Sequence, residues 1–294
     1  MNSPPAQAPA ARTWLFYALV TTSFWGVWGA LIEIPEKSGF PATLGYSVWS
    51  LTMIPCAVLA LKASGWRLDR DLTAIASGSI VGFTGAGGQL ILFEALRTGP
   101  AFIVFPVVSL YPALTIVLSL WFLQERARLR HWVGIGLALP AIGLLSYVEP
   151  GDTLVRGYGW LALAVGVFVL WGVQAYVMKL ANARMSAESI FFFMMLSGLA
   201  LVPIALGMTD FGQPINWGLR GPYLAALVHS LNSIGALCLV HALRHGKAII
   251  VTPMTALAPV ITIALSLLIY GRIPFAYQTA GMALAAVAIY LMAE

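Results

Sequence analysis

Apolar runs of about 20 residues, long enough to cross the hydrocarbon core of a bilayer as helix, recur ten times in this 294-residue chain. Gly, Pro or a few charges close each run. The pattern predicts helices near 14–32, 41–62, 72–96, 100–123, 131–148, 158–180, 186–207, 221–243, 247–270 and 274–293. Composition agrees: 60% of the residues are hydrophobic and 9% charged, where a soluble domain carries roughly a quarter charged. The chain therefore reads as an all-α integral membrane protein. Connections such as Thr98-Gly99, Arg244-His245-Gly246 and Gly271-Arg272-Ile273 are too short to hold a separate catalytic domain.

The formal charge of +5 does not point to nucleic acid, because the basic residues stand singly between apolar runs and form no patch. Cys56 and Cys238 lie in apolar segments without CxxC or metal-ligand spacing, so they read as small buried hydrophobes. No metal and no cofactor are expected. Residues 1–12 are Pro/Ala-rich and read as a disordered cytoplasmic tail. The run behind them is too long for a signal-peptide core and reads as an uncleaved first span. With the N-terminus inside, eleven Lys and Arg fall on the inner side against five outside. The positive-inside bias thus predicts a multi-pass protein of the cell (inner or plasma) membrane with both termini cytoplasmic.

The chain also matches itself. Ala95-Leu96-Arg97-Thr98-Gly99-Pro100-Ala101 aligns with Ala242-Leu243-Arg244-His245-Gly246-Lys247-Ala248 at an offset of 147. Without a gap the same offset pairs Pro106 with Pro253, Pro112 with Pro259, Thr115 with Thr262, Leu118-Ser119-Leu120 with Leu265-Ser266-Leu267, and Gly134 with Gly281. Trp25-Gly26-Val27 aligns with Trp171-Gly172-Val173 at an offset of 146. The predicted organisation is a first repeat over 13–148, a linker over 149–157 and a second repeat over 158–294. Five spans is an odd number, so the second repeat enters from the opposite side and the two are inverted. That arrangement permits two mirror-related conformations, each open to one side.

The alanine-leucine pair before a glycine, Pro112 and Pro259, the Gln124-Glu125-Arg126 exit from the fourth helix, and Gly134 and Gly281 resemble the EamA-type repeat of the drug/metabolite transporter (DMT) superfamily. The likeness spans nearly the whole chain, twice. It implies a ten-helix secondary transporter, commonly an exporter, with a central cavity lined by the first, third and fourth helices of each repeat. One departure stands out: the acidic residue at the fourth-helix exit is Glu125 in the first half, but its equivalent is Arg272.

Polar groups inside a membrane are costly and become functional candidates. His229, Asn232 and Ser233 fall at i, i+3 and i+4 of the eighth helix and share a face. The offset sets Gly82, Gly85 and Ala86 of the third helix against them, a polar wall facing a small-residue wall, with Gln89 extending it. Trp25, Trp28, Tyr111 and Trp171, with Gln174 nearby, supply aromatic walls for an organic solute. The same groups could instead only bond and pack helices together. Trp14, Trp66, Trp121, Trp132, Trp160 and Trp217 read as an interfacial belt. Pro106, Pro112, Pro253 and Pro259 predict kinks in the fourth and ninth helices and serve as candidate hinges. Glu94 and His229 are candidate proton-coupling groups, although Glu94 lies three residues before Arg97 and could simply pair with it. Glu33 and Lys179, equivalent under the 146 offset, are a candidate pair of gates or else snorkelling end charges.

The expected activity is secondary transport of a small amphipathic metabolite, such as an amino acid, by alternating access and in the export direction. Uptake of a neutral or cationic nutrient is the alternative. A cavity without a central fixed charge disfavours phosphorylated substrates. No HExxH, nucleophile-base pair or GxxxxGK[ST] loop appears, which argues against an intramembrane enzyme or ATP drive. Missing long loops argue against a scaffold. The expected partners are the solute, lipid and a coupling proton, in a monomer or homodimer.

Overall fold

A computed structural model describes residues 10–99, 101–147, 158–271 and 273–293. Outside these fall most of the expected tail, the linker over 149–157, and Arg272. The first helix starts at Ala10, so the last three positions of the expected tail are helical.

Ten helices are long and apolar enough to span: Thr13–Lys37, Ala42–Ala63, Leu72–Thr98, Ile103–Trp121, Leu129–Ser146, Gly159–Ala181, Ala187–Gly207, Leu219–His245, Ala248–Tyr270 and Ala276–Ala293. They are numbered here in chain order as first to tenth span. Ten crossings bring both chain ends to one face, called here the terminal face; the other is the distal face. Local signals start several of the spans. Asp71 accepts from the Ala74 amide at 3.1 Å to cap the third, and Ser186 accepts from Ser189 at 3.2 Å to cap the seventh, each filling an orphan donor of the first turn.

The spans pack as an inverted repeat requires. The first lies against the eighth as the third lies against the sixth, the second against the eighth as the seventh against the third, and the fifth against the tenth. The symmetry reaches single bonds. Trp25 Nε1 donates to the Asn232 carbonyl at 3.2 Å, and its equivalent Trp171 donates to the Gly85 carbonyl, also at 3.2 Å. Thr115 Oγ1 donates to the Gly172 carbonyl at 2.9 Å, and Thr262 Oγ1 to the Gly26 carbonyl at 2.9 Å. Each of these four bonds joins one repeat to the other.

Glycine permits this closeness at two points. A Cβ on Gly88 would fall 2.5 Å from Trp171 Nε1, and one on the equivalent Gly235 would fall 2.7 Å from Trp25 Nε1. Each repeat thus presses its tryptophan onto a glycine of the other, the small-residue packing that replaces the hydrophobic effect between helices in lipid. Trp160, expected at the interface, is instead 6% exposed; it packs against Gly99 where the third span gives way to the fourth.

The fourth and ninth spans are both broken. The fourth divides into Ala101–Ser109 and Tyr111–Trp121 at Leu110, and the ninth into Ala248–Thr255 and Pro259–Tyr270. Pro112 and Pro259 sit in the first turn of the second segments, where a missing N–H costs nothing. Pro106 and Pro253 lie within the first segments and each removes a helix donor. Short i to i−3 bonds bridge the gap in the ninth span, including Leu257 N to Met254 O at 3.2 Å and Val260 N to Leu257 O at 3.0 Å.

Candidate functional site

Several of the residues singled out in the sequence meet in two clusters within the spans. In the first, Trp28 Nε1 donates to His229 Nδ1 at 3.2 Å. That bond places the imidazole proton on Nε2, which is buried without a protein partner among the described residues and points at the space a Cβ on Gly45 would take. Ser233 is fully buried and shares a 2.9 Å hydrogen bond with Thr52 of the second span. Ser233 is therefore a helix-to-helix contact. In the second cluster, Gln174 lies over Gly85, and Tyr111 meets Trp171 edge to face with ring centroids 5.9 Å apart. Tyr111 also lies beside the Thr255 hydroxyl, which brings the breaks of the fourth and ninth spans together.

The expectation of a polar wall facing a small-residue wall needs correction. Gly82 packs on Ser197 and Met194 of the seventh span, while Gly85 and Gly88 pack on Gln174 and Trp171 of the sixth. His229, Asn232 and Ser233 meet the first and second spans instead. A repeat offset names positions related by the two-fold axis, and such positions need not touch. The third span's glycines are filled by side chains of the other repeat and leave no wall of their own.

The tryptophans are likewise committed. Both indole N–H groups of Trp25 and Trp171 are spent on backbone carbonyls. Among the predicted polar groups, the amides of Gln89, Gln174 and Asn232 make no side-chain hydrogen bond to the described residues and remain half-buried.

The charged candidates sit at the faces. Glu94 takes a bidentate pair from Arg97, Nε at 2.8 Å and NH2 at 2.6 Å, at the distal end of the third span, with Arg97 largely exposed. Its position is remote from the mid-span clusters. Glu33 pairs with Lys37 one turn on. Lys179 behaves differently. Its ammonium donates to the Leu243 carbonyl at 2.8 Å and to the Gly246 carbonyl at 2.7 Å, at the end of the eighth span. Beside it, Glu125 accepts from the Ala248 amide at 3.1 Å and the Ile249 amide at 3.0 Å, capping the ninth span. Glu125 had drawn attention only through the family likeness. Its partners are backbone amides, which carry no sequence signal.

The two faces are unequal. On the terminal side, Tyr111–Trp121 packs against Ala248–Thr255, and every residue from Ala248 to Thr255 is buried. On the distal side, Ala101–Ser109 and Pro259–Tyr270 have no comparable packing among the described residues, and no residue of Pro259–Tyr270 is buried. Two clefts lie at the ends of the bundle, neither lined by the fourth or ninth span. One of about 500 Å³ at the distal end involves Thr43, Phe93, Arg97 and Asp210; one of about 310 Å³ at the terminal end involves Arg67, Asp69, Arg184 and Arg244. Neither reaches the mid-span clusters.

Comparison with known proteins meets this geometry. The model of the EamA-like transporter family matches residues 12–147 and again 158–293. Protein RarD of Streptomyces exfoliatus is 26% identical over 96% of this chain and 88% of its own. A probable magnesium transporter, NIPA9 of Arabidopsis thaliana, is 26% identical over 69% of this chain and 62% of its own. A solved crystal structure superposes with a TM-score of 0.76 at 19% identity, covering 95% of this chain and 97% of its own, which establishes the likeness of fold. A double family match that falls on each five-span unit, in a bundle whose halves make equivalent tryptophan and threonine bonds to one another, makes the chain a member of the EamA-like transporter family.

Proposed function

We propose that the protein is a secondary transporter that carries a small amphipathic metabolite, such as an amino acid, across the cell membrane by alternating access, in the export direction. The observation that carries this reading is the inequality of the two faces. The halves share their tryptophan and threonine bonds, yet the fourth and ninth spans pack on one another at the terminal face and have no comparable packing at the distal face among the described residues. A two-fold bundle with unequal mouths is one of two mirror-related states, and the other follows by exchanging the conformations of the repeats. The excess of Lys and Arg on the terminal face supports a cytoplasmic location for it and for both termini.

The free amides of Gln89, Gln174 and Asn232, beside the aromatic rings of Trp28, Tyr111 and Trp171, suit a ligand with polar and apolar parts. Among the described residues no three His, Cys, Asp or Glu side chains come together, which favours an organic solute over a divalent ion such as the one named for the NIPA9 relative. His229, half of whose ring already binds Trp28, is a better candidate for proton coupling than Glu94, which Arg97 holds at the distal end.

The test is solute flux in proteoliposomes after a thermal-shift screen of amino acids, nucleosides, sugars and quaternary amines, since a ligand stabilises the state it binds. Gln89→Ala, Gln174→Ala and Asn232→Ala break no protein hydrogen bond and should lower flux at least tenfold while the protein remains folded. Unchanged flux in all three removes the site. Export driven by protons stops when the pH gradient is collapsed; flux indifferent to the gradient removes His229 from coupling.

A further inference from the structure

At the terminal face charge-assisted bonds hold the turn between the eighth and ninth spans, Glu125 joining it to the first repeat and Lys179 to the sixth span of the second. Glu125 leaves the fourth span after Gln124, which adopts a left-handed φ of 51°. That conformation is strained for a non-glycine residue; the equivalent Gly271, with φ 64°, meets no such penalty. The turn carries the Glu125 carboxylate to the first two amides of the ninth span, the end of the helix where an anion is stabilised. Lys179 meanwhile binds two carbonyls at the end of the eighth span, where a cation is stabilised. Anion and cation together hold the eighth-to-ninth turn, one at its amides and one at its carbonyls. Lys247 closes the same corner by donating to the Arg126 carbonyl.

At the distal face the equivalent turn joins the third span to the fourth. The groups corresponding to the Leu243 and Gly246 carbonyls are those of Leu96 and Gly99, and the amides corresponding to Ala248 and Ile249 are those of Ala101 and Phe102. The residue equivalent to Lys179 is Glu33, and the residue equivalent to Glu125 is Arg272. A carboxylate has no proton to give a carbonyl, and a guanidinium has no acceptor for an amide. The repeats therefore differ in sign at both positions.

We infer that Glu125 and Lys179 form a latch that holds the terminal face shut. Release of this latch precedes every opening toward the terminal side. The inference rests on the transporter reading, but its test needs no solute.

Cys56 and Cys238 are first replaced by Ala. The equivalent positions Ile103 and Ile250 then serve, one at a time, as cysteine reporters in nanodiscs, where a maleimide reaches both faces. Ile250 is 5% exposed, so I250C should label slowly. Glu125→Gln or Lys179→Met should each raise I250C labelling by roughly tenfold or more, the value of a hydrogen bond to a charged group, and should leave or lower labelling of I103C. If Glu125→Gln does not yield folded protein, Lys179→Met reads the same corner. Unchanged I250C labelling in the variants that fold overturns the latch, as does an equal rise at both reporters, which means general loosening. Absent flux for every solute counts against the transport reading and leaves these labelling results standing.

Discussion

Replacing Gly235 by Ala asks whether the two tryptophans are wedges between the repeats. The new Cβ would lie 2.7 Å from both Cδ1 and Nε1 of Trp25, whereas carbon contacts settle at about 3.5–4.0 Å. The ring must retreat by roughly 1 Å, which takes Nε1 beyond hydrogen-bond range of the Asn232 carbonyl, now 3.2 Å away. Overpacking costs about 1–3 kcal/mol, and an interhelical hydrogen bond in a membrane protein averages about 0.6 kcal/mol. The sum is roughly 2–4 kcal/mol. Gly88→Ala should cost nearly the same, because its Cβ would stand 2.5 Å from Trp171 Nε1 and 2.8 Å from Cδ1. Equilibrium unfolding in mixed micelles measures both. In a Trp25→Ala background the cost of Gly235→Ala should vanish, since the obstruction is gone and the coupling is all in the pair. Glycine-to-alanine variants within about 0.5 kcal/mol of the parent, or a cost that persists without the indole, would refute the wedge.

Two further outcomes follow from the bends and from one loop. Pro112→Ala and Pro259→Ala fall in the first turn of their segments, where alanine is tolerated; the melting temperature should hold within a few degrees while flux slows, and full-speed transport by both would dismiss these breaks as bending elements. Asp69, outside the spans, accepts from the Ser186 amide at 2.8 Å and the Ser186 hydroxyl at 3.0 Å, and these bonds hold its carboxyl below the usual aspartate range. A depressed folded value means stability that is present above the unfolded value and lost as pH falls through the folded one. Asp69→Asn should lower the melting temperature by roughly 2–4 °C at neutral pH and flatten its decline below about pH 4; an unchanged acid limb would show that Asp69 does not link the two loops.

The ten spans were legible because lipid imposes the length and apolarity of every crossing, and the boundaries moved by only a few residues. The repeat was legible too. Offsets of 146 and 147 predict equivalent environments, and Trp25 with Trp171, or Thr115 with Thr262, make the same bond at the same length. Contact was another matter. Setting Gly82 and Gly85 opposite His229 and Asn232 mistook equivalence for proximity, since a two-fold axis carries a residue to its mate's place in another interface. Trp160 looked like an interfacial residue because it opens a span, yet the turn at Gly99 covers it.

The latch was half visible. Glu125 against Arg272, and Lys179 against Glu33, are the positions where the repeats disagree in sign, and a carrier built from two near-equal halves can prefer one state only through such disagreements. Where the halves agree, as at the tryptophans and threonines, they supply bonds that both states can keep by exchanging roles. Where they differ, one face gains what the other lacks. The targets of Glu125 and Lys179 are backbone groups at helix ends, so no partner residue in the sequence marks them; the structure adds the distances that turn a charge reversal into a grip. By this reasoning the sequence differences between repeats, more than their likenesses, locate the control of the resting state.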